Sequence, residues 1–83
     1  MSWREAEELD VQVMEIRKKT LGVEHPDTLA SVETLALTFE NQKRWKQAKG
    51  LHVQIVKTRK EILGEEHPDT LASIEKLWSM FWK

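Results

Sequence analysis

The chain has 83 residues, of which 13 are Lys or Arg and 14 are Asp or Glu, for a formal net charge of -1. Charges so evenly matched and mixed along the chain exclude the clustered basic surface that a nucleic acid or an anionic membrane requires, so neither is expected as a partner. There is no cysteine, which removes disulfides and thiolate metal sites, and no apolar run approaches the roughly 18 residues of a membrane span.

The first predicted helix runs from about Ser2 to Leu21. Ser2 is the expected N-cap, with Glu5 three residues on. Ala6, Leu9, Val13 and Ile16 recur at three- and four-residue steps, the stripe of a helix that buries one face. The chain then reads Leu21-Gly22-Val23-Glu24-His25-Pro26-Asp27-Thr28-Leu29-Ala30-Ser31. Gly suits the residue just past a helix end, and Pro fits the first turn of the next helix. Asp27 and Thr28 are placed to accept hydrogen bonds from the free N–H groups of that turn.

The second helix starts near Pro26 or Asp27 and carries Leu29, Val32, Leu35, Ala36 and Phe39 on one face. Its end is weakly punctuated. Residues Glu40-Asn41-Gln42-Lys43-Arg44 include neither Gly nor Pro, and Asn41 is the residue best able to turn left-handed. One continuous helix from Asp27 to Leu63 is the alternative, with Gly50 as its weak spot; such a chain would bury its stripes in a domain-swapped dimer. The third helix, from about Arg44 to Leu63, carries Trp45, Ala48, Leu51, His52, Ile55 and Ile62. The turn phrase then returns at Leu63–Ser73, where Glu65 in place of Val23 is the one change in eleven positions. The fourth helix starts near Pro68 with Leu71, Ile74, Leu77, Trp78 and Phe81 on its stripe. No stretch alternates with the period of a strand, so the predicted class is all-α.

The turn phrase is part of a longer repeat. At an offset of 42 positions, 20 of the 41 aligned pairs are identical, among them Trp3 with Trp45, Ala6 with Ala48, Arg17 with Arg59 and Phe39 with Phe81. A helix pair bearing Leu35-Ala36 and Phe39, then Trp45 and Ala48, resembles a tetratricopeptide repeat. The likeness is to the 42-residue variety of kinesin light chains and of many fungal and bacterial arrays, where an LG-x-EHPDTL phrase marks each unit. It covers essentially the whole chain. It implies antiparallel helix pairs stacked as an α-solenoid and a protein-interaction role, with no catalysis and no cofactor. Three residues depart from the pattern: Lys43 stands where Gly is usual, Trp78 where a small residue such as Ala36 is usual, and Gly50 where an acidic residue is usual. On this reading residues 1–83 are a single domain, with one complete pair flanked by two half-repeats. That is an excerpt of an array or a protein completed by self-association.

The residues that suggest chemistry read more plainly as structure. His25 and His67 are copies of one turn residue, and stacked repeats hold such copies on the order of 10 Å apart, too far to share one metal ion. With Pro26, Asp27, Pro68 and Asp69 they are assigned turn and capping roles. His52 reads as a packing residue, since no Asp, Ser or Cys stands at a supporting spacing. Glu5, Glu7, Glu8 and Asp10 spread around their helix as a solvated face. No metal, no cofactor and no enzyme are expected.

Two surfaces are expected to bind protein. By position in the family's concave groove, Glu33, Leu37, Glu40 and Asn41 of the second helix and Glu75, Ser79, Trp82 and Lys83 of the fourth would face a peptide. The acidic Glu33 and Glu75 suit a basic one. At the C-terminus Trp78 and Phe81 are assigned to the stripe against the third helix, with Met80 and Trp82 outside it. An apolar terminal helix on a short array calls for a cover. The prediction is therefore a symmetric homodimer built on Trp3, Trp78, Met80, Phe81 and Trp82, either docked or swapped through residues 40–44, in a cytoplasmic protein.

Overall fold

A computed structural model describes residues 2–82. It contains four helices: α1 (Trp3–Leu21), α2 (Pro26–Asn41), α3 (Trp45–Leu63) and α4 (Pro68–Met80). Among the described residues there is no strand. Ser2 caps α1 by accepting the Glu5 N–H at 3.2 Å.

Gly22 and Gly64 close α1 and α3 at φ +93° and +92°, with ψ near 160°, a region that only glycine enters without strain. Their N–H groups return to the carbonyls of Lys18 and Lys60. The caps that follow are made by His25 and His67, rather than by the Asp and Thr side chains expected to accept there. His25 Nδ1 accepts the Asp27 N–H at 3.0 Å, and His67 Nδ1 accepts the Asp69 N–H at 3.1 Å. The hydroxyls of Thr28 and Thr70 instead donate to the carbonyls of Arg17 and Arg59, at 3.2 and 3.4 Å. Both threonines are buried, and each latches its helix to the last turns of the one before.

The junction at 40–44 turns. The Arg44 N–H reaches the Phe39 carbonyl and the Lys43 N–H the Glu40 carbonyl, both at 2.9 Å, the paired bonds of a Schellman motif. Its left-handed residue is Lys43, at φ +60°, while Asn41 stays helical. Arg44 then lies over the Phe39 ring and pairs with Glu7 of α1, holding the turn against the first helix.

Each helix packs on its chain neighbours: α1 on α2, α2 on α3, α3 on α4. The core runs between them as Met14, Val32, Leu35, Phe39, Ala48, Ile55 and Met80, with Val11, Trp45 and Leu51 against it. Ala36 and Ala48 are fully buried; residues without bulk there let α2 and α3 approach closely. Met80 is the main correction to the sequence expectation. It is fully buried, because it occupies the place in α4 that Thr38 holds in α2, on the side turned to the preceding helix. Trp78 and Phe81, assigned to that side, are exposed instead.

Candidate interaction surfaces

The stripes read from the sequence are real faces, but two of them have no helix against them. Offset by 42 positions, the same face is buried in the middle of the chain and open at its ends. Ile55 is 1% exposed and its counterpart Val13 42%; Phe39 is 9% exposed and Phe81 56%; Ala36 is 0% exposed and Trp78 60%. Leu9 and Ile16 of α1 and Leu71 of α4 are exposed likewise. The buried members belong to the α2–α3 contact. The α1 side that packs is the other one, through Met14 and Val11.

The open end of α4 is aromatic. Trp78 makes edge-to-face contacts with Phe81 and Trp82, at centroid distances of 6.1 and 5.6 Å. Trp82 is 73% exposed, and Lys49 of α3 reaches over the Phe81 ring at 5.7 Å. At the other end Trp3 is exposed at the start of α1. Of the five residues assigned to self-association, Trp3, Trp78, Phe81 and Trp82 are therefore on the surface, and Met80 is not.

The groove residues divide as well. A depression of about 300 Å³ is lined by Glu33, Thr34, Leu37, Glu40, His52 and Lys76, with Leu37 exposed on it. Asn41, Glu75 and Ser79 are exposed, while Lys83 lies outside the described residues. Glu33 pairs with Arg59 of α3. The Glu40 carboxylate is nearly buried, accepting from His52 Nε2 at 3.0 Å and from Lys76 Nζ at 2.8 Å. Burial pushes its pKa up, but the hydrogen bonds and charges of Lys76 and His52 outweigh that, and it lies below the ordinary carboxylate range. Of the two acidic residues that suggested a basic peptide, Glu33 is thus matched from within, and Glu75 meets no cation among the described residues.

That polar layer was not foreseen. Arg59 hydrogen-bonds Ser73 of α4 while pairing with Glu33 of α2, so one guanidinium joins three helices. The recurrence of Arg17 at Arg59, Ser31 at Ser73 and Glu33 at Glu75 was the sequence signal available for it. The acidic block of α1 also differs from a solvated face: Glu7 pairs with Arg44, and Asp10 accepts from the Thr38 hydroxyl at 2.6 Å. Among the described residues no three His, Asp or Glu side chains gather as metal ligands, and no helix is long and apolar enough to cross a membrane.

Comparison with known proteins agrees with the geometry. No curated protein matches the chain. The tetratricopeptide-repeat profile matches residues 2–27 and 28–69, the second stretch spanning one full period of the internal repeat. Repeats of this kind are non-catalytic modules that mediate protein–protein interactions and scaffolding. With consecutive antiparallel helices, a small-residue contact at Ala36 and Ala48, and a profile match over most of its length, the chain belongs to the tetratricopeptide-repeat family.

Proposed function

We propose that this chain is a scaffolding module of a cytoplasmic protein that self-associates through its terminal helices, with a homodimer as the smallest assembly. The observation that carries the reading is the pair of open apolar faces on α1 and α4, whose counterparts in α2 and α3 bury one another. Trp3, Trp78, Phe81 and Trp82 are the contact residues. Exposed apolar surface on this scale marks an interface in soluble proteins. A swap through residues 40–44 is a second route to the same dimer, supported by the left-handed backbone at Lys43.

Light scattering over a range of concentrations tests the proposal on the intact chain and on Trp82→Ala. A concentration-dependent mass that the substitution lowers is the expected result. A constant monomer mass for the intact chain rejects it.

A different reading follows from the exposed Leu37 on its depression: a peptide receptor using Glu33, Leu37, Glu40, Asn41, Glu75 and Ser79. Amide shifts at Leu37 and Asn41 on titration with a basic helical peptide support it. Unchanged spectra at saturating peptide count against it.

A further inference from the structure

We infer that the open face of α4 receives the open face of α1 from a second copy, head to tail, in the relation that α2 already has to α3. This rests on the self-association reading above and specifies its geometry. A two-fold dimer would pair each face with itself. The repeat pairs each with the other, because α4 is α2 shifted by 42 positions and α1 is α3 shifted back by 42.

Charge makes the same assignment. At the α2–α3 contact Arg59 pairs with Glu33 of the preceding helix while holding Ser73 of the following one. Arg17 repeats half of this: it holds Ser31 of α2 at 2.7 Å and the Asp27 carbonyl at 3.1 Å, but among the described residues it meets no carboxylate. Glu75, the counterpart of Glu33, likewise meets no cation among the described residues. A partly exposed pair seen once inside the chain thus recurs as two separated halves at its opposite ends. Joining copies head to tail sets Glu75 of one copy against Arg17 of a second.

The apolar parts fit with one adjustment. Phe81 takes the place of Phe39, and Leu9 and Val13 take those of Leu51 and Ile55. Trp78 stands where Ala36 closes on Ala48, so the indole lies over Ala6 of the second copy and holds the helices further apart than α2 and α3. Such a contact is heterologous and extends into an open chain or a ring.

Charge reversal tests it, read by sedimentation velocity with helicity monitored alongside. Arg17→Glu and Glu75→Arg should each weaken association roughly five- to ten-fold, as expected for setting like charges together at a partly exposed site. The double variant, and an equimolar mixture of the two single variants, should both recover it, since every contact in the mixture can then oppose unlike charges. Arg17 also ties α1 to α2, so Val13→Glu on the same open face serves if Arg17→Glu loses helicity; it too should suppress association. Assembly that ignores Arg17→Glu and Val13→Glu, or that the single charge reversals weaken but the mixture does not restore, overturns the head-to-tail geometry and leaves self-association through α4 standing. A monomer at every concentration in the unsubstituted chain overturns both.

Discussion

Glu40 anchors two helices with one carboxylate, His52 of α3 on one oxygen and Lys76 of α4 on the other. An ionised carboxylate only accepts, so the His52 Nε2–H must be the donor in this pair. Because the folded state holds Glu40 below its ordinary pKa, the ionised form stabilises the fold. The sign follows from linkage: this stabilisation is fully present above the pKa of an unfolded glutamate and is lost as pH falls through the lower, folded value. Glu40→Gln should therefore lower the urea midpoint near neutrality and flatten its decline as pH falls through and below the ordinary glutamate range. An unchanged slope for the variant would mean that Glu40 carries none of the acid sensitivity.

At the scale of the element, the turn at 40–44 is the most exposed to a single substitution. Lys43 adopts φ +60° with no special side-chain bond among the described residues, a conformation that costs a residue with a Cβ about 1 kcal/mol. Lys43→Gly relieves that strain, offset in part by the greater freedom of glycine in the unfolded chain. A net gain of about 0.5 kcal/mol is expected, raising Tm by roughly 2–4 °C in a chain of this size. Thermal melting checks it, and a fall in Tm would show that the lysine is not strained there.

Helices are also where the reach of sequence reading is clearest. Helix ends at Ser2, Gly22, Pro26, Gly64 and Pro68 were legible because each signal acts on its own backbone. The stripes were legible too, since period 3.6 says which residues share a face. Periodicity does not say where the neighbouring helix stands. Ala6, Leu9, Val13 and Ile16 were read as the buried side of α1, whereas three of the four point outward and Met14 on another side is buried. Met80 was misplaced for the same reason. The polar layer escaped because Arg59, Glu33 and Ser73 meet across three helices, although the copies at Arg17, Glu75 and Ser31 hinted that the positions mattered.

On the scale of the whole molecule, the four helices form a slab with Cα extents of 38 × 35 × 15 Å. Its radius of gyration, 12.7 Å, exceeds the roughly 12 Å of a globule of this length. So thin a body has little interior, and its end helices are covered on one side only. If the end faces find second copies, association and folding draw on the same apolar surface, and Tm should rise with protein concentration. Calorimetry over a hundred-fold range of concentration checks this, and a Tm independent of concentration would mean that the isolated slab sets its own stability.

The braces that skip a helix are placed unevenly. Arg44 with Glu7 joins α1 to the start of α3, and Lys76 with Glu40 joins α2 to α4; both converge on residues 40–44. The edge formed by the Gly22 and Gly64 turns carries no such tie among the described residues. There the ties run only from one helix to its neighbour, as by Thr28 and Thr70. A strip braced across its panels along one edge, and only from panel to neighbouring panel along the other, behaves like a hand fan: under load it spreads more at the second edge and pivots about the first. Elastic deformation of this protein should therefore open the edge where His25 and His67 lie and leave the rim around Glu40 nearly rigid.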